Sequence, residues 1–274
     1  MFFLLGVDGR EYGPYTADQI RQWMAEGRAN LDTRVRRDGE TASQPIREMP
    51  ELAGIGGAAS ALPPPLEPGQ IAASYLARNA QVDIGTAFSR AWALIWEYPG
   101  PCIGGAAIVL GVSLGLALIP LLGALATIVI AGPLNGGFFY VLLRRIRGEA
   151  VSAGDVFVGF GIAFAQLFLA HLVVSLLTCV GLVLCILPGI YLAVGYLFAL
   201  PLVIDKRMEF WTAMEVSRQV VHRHWWIIFA YAILSMLVIC LGALLCGVGL
   251  LVAMPLVMAG LMCIYEDLFG STPA

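Results

Sequence analysis

The sequence predicts a mainly α-helical membrane protein: about six transmembrane helices arranged as three hairpins, with interfacial helices, behind a small N-terminal α+β domain. Three observations carry that expectation. Of 274 residues, 59% are hydrophobic and only 13% charged, whereas soluble domains carry about 25% charge. Asp, Glu, Lys and Arg are absent from residues 98–143, 156–204 and 225–265, blocks of 46, 49 and 41 residues. One helical crossing takes about 20 apolar residues, so each block fits two crossings. Every Lys and Arg of the second half lies outside these blocks.

Residues 1–52 read as a separate soluble module. Phe2–Val7 suits a strand, and Gly9 and Gly13-Pro14 mark turns. Thr16 is an N-cap candidate for an amphipathic helix with Ile20, Trp23 and Met24 on one side. Thr33–Arg37 suits a second strand, closed by the Asp38-Gly39 turn signal. The first residues turn polar by Asp8 and lack a positive start, which favours a strand over a signal peptide. Residues 53–81 read as a Pro/Ala/Gly-rich linker, in which Ala53–Gln70 is expected to be extended and partly polyproline II through Pro63–Pro65 and Pro68.

The membrane domain is expected over residues 82–270. Each charge-free block follows a stretch that mixes aromatic and polar residues: Ile84–Glu97, Ser152–Phe160 and Glu209–His224. These suit interfacial helices. Turn signals fall near the block centres, at Pro120, Leu187-Pro188-Gly189 and Gly247-Val248-Gly249. Pro133, Pro201 and Pro255 follow in the second span of each hairpin, where a kink is the expected consequence.

The charged loops hold Arg144, Arg145, Arg147, Lys206, Arg207, Arg218 and Arg223, and the hairpin tips hold no charge. The positive-inside rule then puts both termini and both charged loops in the cytoplasm. Trp92, Trp96, Trp211, Trp225 and Trp226 fall at the same edges, as an aromatic belt does.

No motif for catalysis, phosphate binding or a cofactor stands out, so no enzyme activity is expected. A net charge of −3 and a pI near 5.6 give no reason to expect a nucleic-acid partner. The six cysteines lie in or beside apolar stretches without metal-site spacing, so no metal is expected and helix packing is their main role. A disulfide between Cys185 and Cys246 is the remaining alternative. His171 is a titratable residue deep in an expected span, with Gln166 a turn and a half earlier. Polar residues at that depth raise a functional hypothesis, against which stands a histidine satisfied by its own helix.

The N-terminal stretch resembles the bacterial GYF_2 family through Gly9, Tyr12-Gly13-Pro14-Tyr15, Ile20, Trp23, Gly27, Asp32-Thr33, Val35, Gly39 and Pro50-Glu51-Leu52. The resemblance implies a surface that binds proline-rich segments, carried here by Tyr12, Gly13, Pro14, Tyr15 and Trp23. The ligand would be a partner protein or the chain's own Pro63–Pro65. The second half is similar to uncharacterised bacterial multi-pass families, among them the YciC-like proteins and the membrane domain of some glycerophosphodiester phosphodiesterases. Arg144-Arg145, Arg147-Gly148-Glu149, Asp155-Val156-Phe157, Pro188-Gly189-Ile190-Tyr191 and Pro201 to Asp205 carry that likeness. The expected function is a membrane scaffold or adaptor embedded in lipid. The alternative is a small-molecule or lipid transporter built on the six-helix bundle.

Overall fold

The computed structural model describes residues 2–5, 11–25, 33–38, 43–49, 67–78, 80–245 and 249–270. The chain divides into two compact units, Met1–Pro65 and Leu66–Ala274.

In the first unit, strands β1 (Phe2–Leu5), β2 (Glu11–Tyr15), β3 (Arg34–Arg37) and β4 (Gln44–Pro45) form one antiparallel sheet in the order β2-β1-β3-β4. Helix α1 (Ala17–Ala25) follows β2, and a 3-10 turn (Ile46–Glu48) follows β4. Phe2, Ile20, Val35, Ile46 and Met49 make the core, with Leu4, Tyr15 and Ala17 packed at its edge. Alternation places Val35 inward and its neighbours outward along β3, as period-2 patterning requires. Gly13-Pro14, expected as a turn, instead lies inside β2 with a cis peptide bond. Proline is accommodated there because β2 is an edge strand with one side free of ladder bonds. The turns expected at Gly9 and Gly39 lie outside the described residues, as does the side chain of Met24.

The second unit opens with helix α2 (Pro68–Leu76), inside the stretch expected to be linker. Composition suggested an extended chain, but Glu67 and Gln70 form a reciprocal capping box and Pro68 occupies the first turn, where it needs no N–H partner. Ala72 is fully buried, with Ile71, Tyr75 and Leu76 packed against the core. Residues 50–66 lie outside the described residues.

Helix α3 (Ile84–Glu97) starts at Asp83, whose carboxylate accepts from the Gly85 and Thr86 N–H groups. Then come α4 (Pro99–Ala117) and α5 (Leu122–Ile146), a 3-10 turn (Ala153–Phe157), α6 (Val158–Ile162), and α7 (Phe164–Leu184). Helices α8 (Ile186–Gly195), α9 (Ala199–Lys206), α10 (Phe210–Arg223), α11 (Trp225–Leu244) and α12 (Leu250–Phe269) complete the unit. Among the described residues, six helices are long and apolar enough to cross a membrane, counting Ile186–Lys206 as one. They pair as three hairpins.

Burial sorts them into two classes. About half of the second member of each hairpin is buried (50%, 44% and 50%), against about a fifth of the first (22%, 17% and 22%). The shared core is concentrated toward one end, in α5 from Gly132 to Leu143, in α9, and in α12 from Ala259 to Phe269. The opposite ends are exposed, Leu118, Val183 and Leu244 by close to 80%. Apolar surface of that extent is the expected face toward lipid.

Glycines set the closest approaches. Gly137 and Gly159 let α5 meet the 153–162 segment backbone to backbone: a Cβ on Gly137 would overlap the Val156 carbonyl, and one on Gly159 the Pro133 carbonyl. The second hairpin reverses at Cys185, with Gly181 facing Gly189. Pro188, expected at the turn, sits in the first turn of α8, where proline is tolerated. Pro133 and Pro255 lie inside continuous helices. Before Pro201, by contrast, the helix is interrupted at Tyr196–Phe198. Buried Ser217 on α10 satisfies the break: its hydroxyl donates to the Gly195 carbonyl (2.8 Å) and accepts from the Phe198 N–H (3.3 Å).

Candidate functional site

In the first unit the five residues singled out from the sequence lie on β2 and α1. On a regular strand, residues three apart point to opposite faces. Tyr12 and Tyr15 line one groove because the ladder is irregular between them: Phe2 pairs with Tyr15 and Leu4 with Tyr12, so β2 spends three residues where β1 spends two. Gly13 makes that possible. Its φ is +154°, and a Cβ there would stand 2.9 Å from the Phe2 carbonyl oxygen and 2.8 Å from the Phe3 ring.

Helix α1 supplies the other wall. The Thr16 hydroxyl accepts from the Gln19 N–H (3.3 Å), and the Gln19 side chain accepts from the Thr16 N–H (3.0 Å). That reciprocal cap fixes the start of the helix. Ile20 then enters the core, and Trp23, one turn on, stays half-buried beside Tyr15. The two rings meet edge to face, 4.6 Å between centroids. Leu4, Tyr12, Tyr15 and Trp23 together line a groove of about 200 Å³. Tyr12 is 46% exposed, so the groove is open to an incoming chain. Gly13 and Pro14 are exposed beside it.

His171 and Gln166 are not brought together. Gln166, in the first turn of α7, turns to α10, where its side-chain carbonyl accepts the Phe210 N–H at 2.9 Å. It thereby satisfies a free donor at the start of that helix. His171 lies half-buried against α5, where a Cβ on Gly132 would be 2.9 Å from the His171 Cβ. A cavity of about 540 Å³ opens instead between α7 and α8, lined by Val174, Ser175, Thr178, Cys179, Leu182, Val183 and Ala193. Cys185 is exposed and Cys246 lies outside the described residues. Among the described residues no three His, Cys, Asp or Glu side chains cluster as a metal site.

The feature missed from the sequence is a polar clamp at one end of the helical unit. Arg147, just after α5, forks onto Asp205 of α9 (2.6 and 3.1 Å) and onto Glu266 of α12 (2.9 Å). Tyr265 donates to Asp205 at 2.8 Å, and Lys206 stands 3.3 Å from the same carboxylate. Hydrogen bonding to Asp205 holds the Arg147 guanidinium protonated above its usual range, against the opposing effect of burial. Arg147 thus ties the ends of all three buried hairpin members together. The signal available in the sequence was that these charges stand at or just beyond the ends of the charge-free blocks. Nearby, Arg90 pairs with Asp267; within α10, Arg218 forks onto Glu215 (3.0 and 2.6 Å).

No curated protein and no solved structure matches the chain. Within the N-terminal unit, residues 4–52 match the family model GYF domain 2.

Proposed function

We propose that this chain is a bacterial inner-membrane adaptor whose N-terminal unit binds extended proline-containing segments on the cytoplasmic side. The observation that carries the reading is the open aromatic groove of Tyr12, Tyr15 and Trp23. A polyproline II segment is pre-ordered, has no internal hydrogen bonds, and docks between aromatic rings at low entropic cost. Tyrosine and tryptophan supply large contact area with few rotatable bonds, which suits them to anchor such a ligand.

In this reading residues 82–270 are a YciC-like multi-pass membrane domain that acts as the anchor. Arg147 gathers the ends of three hairpins, and the positive-inside rule sets those ends in the cytoplasm, with both chain termini. The ligand is a segment of a partner protein, or in the resting state the chain's own Pro63–Pro65. Thirteen residues separate Met49 from Pro63, at most about 50 Å of extended chain. No reaction and no cofactor form part of this proposal.

The transporter reading draws support from the interruption at Tyr196–Phe198, since broken helices build substrate sites in transporters. Here, however, the freed Gly195 and Phe198 groups are taken by buried Ser217 instead of lining a cavity. The adaptor reading is therefore preferred. Proximity labelling from the N-terminus in the native membrane tests it. Wild type should mark a defined set of proline-rich neighbours that disappears with Tyr15→Ala/Trp23→Ala. An unchanged neighbour list would move the weight to transport.

A further inference from the structure

In the helical unit, eight of the nine arginine and lysine side chains have a carboxylate or carbonyl oxygen as partner. The exception among the described residues is Arg223, exposed in the last turn of α10. Aromatic residues stand close to it along the chain. Trp226, three residues on, is 79% exposed at the start of α11, a helix without a charge along its 20 residues. Trp225 packs on Tyr191 of α8 (4.9 Å between centroids), and the Tyr191 hydroxyl lies 3.3 Å from Nδ1 of exposed His222. An arginine without an acidic partner among the described residues therefore ends α10 three residues before an exposed indole at the start of a long apolar helix.

Indole rings with one polar edge sit at headgroup level. A guanidinium at the same level meets phosphodiester oxygens, whose geometry matches its fork. We propose that exposed Arg223, three residues before exposed Trp226 at the start of α11, is a binding site for the headgroup of an anionic phospholipid. Zwitterionic lipids bring their own cation, whereas the uncompensated Arg223 charge favours a headgroup with net negative charge. The inference rests on the six long helices lying in a bilayer and is independent of peptide binding by the N-terminal unit.

The test uses full-length protein in detergent micelles, with phosphatidylglycerol or phosphatidylcholine of identical chains added and retained lipid counted by native mass spectrometry. Wild type should retain phosphatidylglycerol in preference. Arg223→Gln should weaken that retention about fivefold, the usual weight of one cation near an anionic surface, and leave phosphatidylcholine unchanged. Arg223→Lys should keep most of the preference, and Arg34→Gln, the same charge change in the other unit, should keep all of it. Equal phosphatidylglycerol retention by wild type and Arg223→Gln overturns the proposal. So does competition by inorganic phosphate alone, which would identify a soluble anion as the ligand. Alkaline carbonate extraction scores membrane insertion separately, so failure of the membrane reading is distinguished from failure of the site.

Discussion

Tyr12 and Tyr15 stand three positions apart on one strand and still line the same groove, because β2 carries an extra residue against β1 between them. The aromatic wall is thus a product of strand pairing, and Gly13 is the residue that permits it. Its φ of +154° and the 2.9 Å approach to the Phe2 carbonyl leave no room for a methyl group. Gly13→Ala should destabilise the N-terminal unit by roughly 1–3 kcal/mol. Faster amide exchange confined to β1 and β2 would register it, while exchange in the helical unit stays as in wild type.

Tyr12 offers the cleanest separation of binding from folding. Being 46% exposed and outside the core cluster, it can be truncated without opening a cavity. Tyr12→Ala should weaken a proline-rich ligand by about 2 kcal/mol or more, some thirtyfold, if the residue acts as an interface anchor. Circular dichroism and amide exchange should show the unit still folded.

The Arg147 clamp should behave as one cooperative unit. The Asp205 side chain is only 8% exposed and accepts from Arg147 and Tyr265. Asp205→Asn should cost roughly 2–3 kcal/mol, as loss of charge-assisted bonds at a partly buried pair does. A double-mutant cycle with Arg147→Gln should reveal strong non-additivity. Thermal unfolding in nanodiscs measures all four corners of the cycle.

Backbone contact between α5 and the 153–162 segment leads to a steric prediction. A methyl on Gly137 would overlap the Val156 carbonyl, which is backbone and cannot rotate aside. Gly137→Ala should lower stability by at least about 2 kcal/mol. Gly148→Ala sits at φ +78° in open space and should show only local backbone strain.

Acid should weaken one specific link. The fork from Arg218, with a second bond from Gln219, holds the Glu215 carboxyl below its ordinary range. A depressed folded-state pKa stabilises above the unfolded value, about 4.3, and that contribution is lost as pH falls through the lower folded value. Glu215→Gln should therefore be less stable than wild type at pH 7. The difference should shrink toward zero below about pH 4, as paired melting curves at the two pH values can show.

Local patterns made most elements legible. Charge-free blocks long enough for two helices each resolve into three hairpins, and the amphipathic stretch Ile84–Glu97 is one helix from end to end. Thr16 caps α1 through its own side chain, a signal contained in four consecutive residues. Where a feature depends on distant partners, the sequence alone was silent. The break at Tyr196–Phe198 is satisfied by Ser217 from another helix. The bulge that aligns Tyr12 with Tyr15 exists only against β1, and Arg147 meets residues 58 and 119 positions away. Helix α2 overlaps the stretch expected to be extended only at Pro68–Gln70, where Pro and Gly favour an extended chain and the Glu67–Gln70 capping pair starts a helix instead.

The most direct measurement is a titration of full-length protein in nanodiscs with a fluorescent peptide containing Leu-Pro-Pro-Pro-Leu, comparing wild type with Tyr12→Ala/Trp23→Ala. Saturable binding by wild type that is lost in the variant, with the N-terminal unit still folded, is the predicted result. Equal binding by both, or none by wild type even with Pro63–Pro65 replaced by Ala to remove self-competition, would contradict the adaptor reading.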